Sequence, residues 1–312
     1  MVSGNLRLFD FGPLSMAECE EKVKVKSKEA RIGDWIFVVI CILISIICVV
    51  PMINLLARSL SGTEYLVRHQ VYLLPKGLNF NAYTIVLKDP KYIKAFVWTV
   101  FLTAVCTIVS LAMTTLCAYP LIFSGLKGKG IINIYITITM FFSAGTIPNY
   151  LLMKSLGLLN NPLVLIVPGC LSVYNMIITR SFFYGIPDSL HESAQIDGAS
   201  YSRILLSIYL PLSKPVLASI ALFYAVGRWN GYSDALMYIT NKDYYPLQLL
   251  LYNILNNINS VEVAAQEGFS SPGLGEAIKA AIVMFSTIPI LMIYPWLQKY
   301  FISGVTLGAV KE

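Results

Sequence analysis

The stretch "IPDSLHESAQIDGASYSRILLSIYLPLSKP", Ile186–Pro215, interrupts the most oily part of a 312-residue chain. Apolar runs approach it from Pro162 and leave it toward Ile239. Its own first half holds Asp188, His191, Glu192 and Asp197, with small residues between them. What surrounds it sets its context. The chain is 56% hydrophobic and 13% charged, with mean hydropathy +0.68. Soluble domains carry about 25% charged residues. Half that charge implies a surface that mostly faces lipid, and an all-α membrane protein.

A membrane helix needs about 20 mainly apolar residues. Six segments meet this: Ile36–Ala57, Ala95–Phe123, Ile131–Met153, Pro162–Ile186, Pro215–Ile239 and Ala277–Ile302. Lys22, Lys24, Lys26, Lys28 and Arg31 stand just before the first of them. By the positive-inside rule this predicts both termini on the cytoplasmic side. The polar stretch then lies in the longer inner segment, between spans four and five. The organisation expected is a cytoplasmic segment over 1–33, a six-span domain over 34–303 and a cytoplasmic tail over 304–312. Residues 1–30 lack the apolar core and cleavage site of a signal peptide.

Within the stretch, Ser189 and Glu192 fit a capping box, and Asp188 is an alternative cap. Gly198 suits a helix C-terminus, which wants a left-handed residue. The expectation is a short helix from Ser189 to Asp197 and a second helical start at Ser200. Leu190, Ala194 and Asp197 fall on one face, and Glu192 stands off it. Ser193, Ala194, Gly198, Ala199 and Ser200 are small enough to let another surface come close. An amphipathic helix lying on the membrane would carry Lys or Arg on its polar face. None lies between Pro187 and Ser202.

Glu192, Ala194, Asp197, Gly198, Ala199, Pro211 and Pro215 reproduce, in order and spacing, a motif that resembles the coupling segment of ABC importer permeases. Ser193 departs from it, standing where alanine is usual. "WN" at Trp229–Asn230 is similar to the maltose-type sugar permeases. "FFSAGTIPNYLL" (Phe141–Leu152), "YYPLQ" (Tyr244–Gln248) and "YPWLQKYFISGVTLGAVK" (Tyr294–Lys311) resemble the branch for oligosaccharides and polysaccharide fragments. The resemblance covers roughly residues 32–312. It implies a coupling helix at about 188–200, with Glu192, Ser193, Ala194, Asp197, Gly198 and Ala199 meeting an ATPase. It implies four kinds of protein partner or cargo: a second homologous permease, two ATPase subunits, an extracellular solute-binding protein and an oligosaccharide. It also implies a bacterial plasma-membrane location, and contact between Gly304–Glu312 and the ATPases.

No G-x-x-x-x-G-K-[ST] occurs, so ATP and Mg are expected on the separate ATPase and no cofactor on this chain. Gly125–Gly130 has glycines and lysines without that pattern and reads as a turn. Five of the six cysteines lie in apolar runs and read as small hydrophobes. His69 and His191 are too far apart to suggest a metal site. Nothing points to nucleic acid; the net charge of +6 reads as basic loops.

The fifth apolar segment carries the densest polar group. Tyr224, Arg228 and Tyr232 repeat at i, i+4, i+8; Gly227, Asn230, Asp234 and Tyr238 form another set. An intramembrane charge usually faces a bundle interior or a watery path. With Trp229, these residues are candidates to line the translocation path; packing against the partner permease is the other reading. Two further functions stay open: an ABC permease for a non-sugar solute, and a secondary transporter working alone. The latter needs coupling carboxylates or inverted repeats in the spans, and only Asp234 is a candidate acid.

Overall fold

The computed structural model describes residues 28–257 and 272–309. They form α1 (Lys28–Ser59), α2 (Thr63–Val67), α3 (Asn81–Lys88), α4 (Pro90–Ala118), α5 (Lys129–Phe141), α6 (Thr146–Ser155), α7 (Val173–Phe183), α8 (Asp188–Ile196), α9 (Tyr201–Ile204), α10 (Leu210–Leu212), α11 (Lys214–Asn230), α12 (Ser233–Tyr238), α13 (Leu247–Asn257) and α14 (Pro272–Ala309). A single isolated bridge, Ser61 to Leu78, is the only β-type pairing among the described residues. The chain packs as two units, Met1–Met52 and Ile53–Glu312. The first unit contributes the N-terminal part of α1; the second holds the helical bundle.

Among the described residues three helices are long and apolar enough to cross a membrane: Asp34–Ser59, Pro90–Ile122 and Gly273–Ile293. Two more spans arise if bent pairs are joined. Lys129–Phe141 meets Thr146–Ser155 at 116°, and Tyr201–Leu212 meets Lys214–Asn230 at 85°. The apolar segment Pro162–Ile186 is not one helix. It is a 3₁₀ turn over Pro162–Leu165, an irregular stretch with Pro168 and Gly169, and then α7. Proline lacks a backbone donor and glycine favours turns, so apolarity alone does not make a continuous helix here. Between the fifth and sixth apolar segments the chain forms α13.

Local signals start and stop these helices. Asp89 accepts a bond from Lys91 N at 2.9 Å and Pro90 opens α4, a good helix start. Ser172 caps α7 through Asn175 N. The central element is α4. Its Ala95 lies in an apolar core with Ala57, Val86, Leu247, Ile278 and Ile282. Its Leu102 and Cys106 join Val164, Leu165, Ala235 and Leu249 in a second core. Ala118, at its end, joins Met176, Phe183, Ile204 and Tyr209 in a third. Near one end of α4 lie α8 and its neighbours. Alongside it, α11 packs against α4, α7 and α14. Between α9 and α10 the chain winds as a π turn, Leu205–Tyr209.

Candidate functional site

α8 begins at Asp188, one residue before the start expected, and its N-cap stands two residues before Ser189. Pro187, with φ −59°, is its N-cap, and no side chain caps it. Ser189 therefore sits inside the first turn and not at the cap position. Asp188 in that first turn still complements the helix dipole. The other end follows the sequence closely. Gly198 adopts φ +77°. Its amide bonds Gln195 O at 3.0 Å, and Ala199 N reaches back to Ala194 O at 2.9 Å. This paired arrangement is a Schellman cap. Ser200 then caps α9 by accepting from Arg203 N at 3.4 Å.

The inward line of α8 is His191 and Ala194, which differs from the face expected. Leu190 is 40% exposed and Ile196 87% exposed, whereas His191 is 8% exposed. Glu192, Ser193, Asp197 and Gly198 are exposed; Ala194 and Ala199 pack at the edge of the third core. Sequence reading missed His191 because it asked only about metals. An i, i+3 pairing with Ala194 was the available signal.

Beneath α8 lies a cavity of about 880 Å³, walled by Tyr119, Phe123, Tyr184, His191, Tyr201 and Tyr209, with Asp188, Glu192 and Gln195 also on its lining. Lys129 holds the opposite wall. Its Nζ donates to Ile122 O at 3.2 Å and Phe123 O at 3.1 Å, and lies 5.3 Å from the Tyr184 ring centre. The glycine-rich turn at 125–130 is thus anchored at its end by the first residue of α5.

The polar residues of the fifth apolar segment do not form one cluster. α11 ends at Asn230 because Gly231 turns extended, with φ −72° and ψ 126°. The helical i+8 spacing expected from Tyr224 to Tyr232 stops there. Across the break Arg228 folds onto Asp234. Nη1 pairs with Asp234 Oδ2, and Nη2 with Oδ1 at 3.0 Å. Arg228 also donates to Leu165 O at 3.2 Å and Gly231 O at 3.1 Å. Its side chain is 11% exposed and that of Asp234 31%. A forked guanidinium–carboxylate pair satisfies both charges in a poorly hydrated place.

The others go elsewhere. Tyr224 Oη lies 2.7 Å from Thr114 Oγ1 and accepts from Ser172 N at 3.0 Å, linking α4, α7 and α11. Trp229 Nε1 donates to Ser286 O at 3.0 Å, and its ring meets Phe96 edge-on at 5.9 Å. Tyr232 stacks on Tyr252 at 4.7 Å. Asn230 is exposed. Of the tail expected to meet the ATPases, Val310–Glu312 lie outside the described residues.

Comparison with known proteins agrees with this architecture. Residues 95–307 match the family described as binding-protein-dependent transport system inner membrane component. The polygalacturonan/rhamnogalacturonan transport system permease protein YtcP of Bacillus subtilis is 37% identical over 90% of this chain and 99% of its own length. The trehalose/maltose transport system permease protein MalG of Thermococcus litoralis is 28% identical over 86% and 94%. A crystal structure of a bacterial ABC transporter involved in the import of the acidic polysaccharide alginate contains a similar chain. It has 33% identity, a TM-score of 0.83, and coverage of 88% of this chain and 99% of that one. A helical bundle with helices long and apolar enough to cross a membrane, joined to this match over residues 95–307, makes the chain a member of the binding-protein-dependent transport inner membrane component family, the membrane permeases of ABC importers.

Proposed function

We propose that the chain is one of two homologous permease subunits of an oligosaccharide importer and that α8 is its coupling helix. The observation that carries this is α8 itself. It is a short helix closed by Gly198, with Glu192, Ser193, Ile196 and Asp197 turned outward from the bundle, between α7 and α11. Two ATPase subunits bind and hydrolyse ATP with Mg, an extracellular binding protein delivers the solute, and this chain contributes no catalytic group. The six apolar segments each cross the bilayer, some as bent or broken helices, with both termini and α8 on the cytoplasmic side. Bent and broken membrane helices are tolerated where neighbours re-satisfy the freed backbone groups.

Tyr224, Arg228, Trp229, Asn230, Tyr232 and Asp234 shape the path. Asn230 and the outer part of Tyr232 are the groups free to meet solute; the ion pair, Tyr224 and Trp229 set the position of the helix ends around them. The relatives named for pectin-type polysaccharides and for alginate make uronate-containing oligosaccharides the first solutes to offer.

The test is Glu192→Lys in the reconstituted complex. The variant should insert in the membrane yet lose ATPase subunits or solute-driven hydrolysis. Unchanged uptake and unchanged association would sink the coupling role. Presenting the cognate binding protein with oligogalacturonides, alginate oligomers and neutral maltooligosaccharides then identifies the cargo.

A further inference from the structure

We propose that His191 is a positioning residue that fastens α8 to the Tyr119–Leu126 segment, so that displacement of α8 is carried into α4 and α5. This rests on the coupling role of α8 given above and names the contact through which the motion passes.

His191 is the one large side chain that α8 turns inward. The other inward position is Ala194, and Leu190 and Ile196 face away. Its ring centre lies 4.7 Å from Phe123, 5.9 Å from Tyr201 and 6.1 Å from Tyr209. Those rings continue the line. Phe123 meets Tyr119 at 5.1 Å, Tyr119 meets Tyr209 at 5.0 Å, and Tyr209 meets Phe183 at 5.4 Å. Tyr119 directly follows the last residue of α4. Phe123 is held through its carbonyl by Lys129, the first residue of α5. Tyr184 Oη donates to Leu121 O at 3.0 Å and ties the same segment to the end of α7.

The cavity of about 880 Å³ decides the mechanical weight of this contact. Between α8 and the Tyr119–Leu126 segment much of the space is open. A continuous packed interface would spread a load over many side chains; here His191 and Phe123 bridge a gap. Close-packed contacts transmit displacement, whereas open space does not. Tyr201, 5.7 Å from Phe123, and Tyr209 flank the bridge, and His191 is the ring through which α8 itself joins it.

The ring acts through its shape. Among the described residues His191 Nδ1 is buried and has no hydrogen-bond partner. A buried polar atom without a partner adds nothing to stability and costs its lost hydration. Phenylalanine, which keeps the ring and drops that nitrogen, should serve as well; alanine should not.

The test uses the full complex of this chain, its partner permease and the ATPase subunits in lipid nanodiscs and liposomes, with His191→Ala, His191→Phe and Phe123→Ala. His191→Ala should keep the ATPase subunits but lower transport per ATP hydrolysed by about fivefold or more, the scale of a site-to-site coupling. Phe123→Ala should match it, and His191→Phe should remain near the parent. Spin labels at Ser124→Cys and Gln195→Cys, across the cavity and in a background without the native cysteines, should give one narrow distance distribution in the parent and in His191→Phe, and a broad one in His191→Ala.

Unchanged transport per ATP and an unchanged distance distribution in His191→Ala would overturn the proposal. So would His191→Phe behaving like His191→Ala, or His191→Ala shedding the ATPase subunits, which would make the residue part of the docking surface. Failure of the underlying coupling reading appears separately, as Glu192→Lys with unchanged uptake and unchanged ATPase association; the label distance is measured within this chain and does not depend on it.

Discussion

Arg228 and Asp234, six residues apart, close into a forked ion pair because the helix bearing Arg228 stops at Asn230. Removing one partner of such a pair leaves the other charge uncompensated, at a cost of about 3 kcal/mol or more. Asp234→Ala should therefore lower the melting temperature of the detergent-solubilised chain by several degrees. The exchanged pair Arg228→Asp/Asp234→Arg should recover part of that loss. A variant pair with parental melting temperature but no uptake would instead assign Arg228 to the solute.

Tyr224 places one oxygen between Thr114 on α4 and Ser172 at the start of α7. Tyr224→Phe should destabilise by about 1–2 kcal/mol, the cost of stranding its buried partners. Thr114→Val should do nearly as much, and the double variant less than their sum, since both singles remove one shared bond. Additive losses in a thermal-unfolding cycle would show that the two hydroxyls do not bond each other.

Gly198 has open space where a Cβ would go, so only its backbone angle opposes substitution. A left-handed conformation costs a branched L-residue about 1–2 kcal/mol. Gly198→Val should loosen the end of α8 and weaken ATPase retention, with Gly198→Asn intermediate because asparagine tolerates that region. The order Gly, Asn, Val in a pull-down of ATPase subunits is the check.

Gly273 presents the contrary case. An added Cβ would lie 2.5 Å from Thr63 O and 2.8 Å from Val67 Cγ2. The nearest atom is backbone, so α2 and α14 would have to separate. Overpacking of this sort costs about 1–3 kcal/mol. Gly273→Ala should reduce the yield of folded protein and lower its melting temperature, more than Gly275→Ala, whose Cβ meets no atom.

Much of this was readable in advance, in unequal measure. Gly198, small residues and a polar run placed α8 within a residue of its true limits, because a Schellman cap is a local event. Pro187 shifted the start, since a fixed φ can set the entry where a serine signal was expected to. Arg228 was found as a charge needing satisfaction, but Asp234 was assigned to a different helix face, because Gly231 breaks the period that the assignment assumed. Hydropathy marked Pro162–Ile186 as one span; Pro168 and Gly169 divide it. The i, i+3 pairing of His191 with Ala194 marked an inward face, but its ring partner Phe123 lies 68 residues away, where no local pattern points.

The π turn at Leu205–Tyr209 has a kinematic consequence for the line from α8 to α11. A π turn takes up one residue more than an α turn. Rewinding it would release that residue, turning α9 by about 100° and shifting it by about 1.5 Å relative to α11. The turn is thus a length of slack between α9 and α11. Its last residue, Tyr209, is wedged between Tyr119 and Phe183. Rewinding the turn would require that ring to leave both contacts.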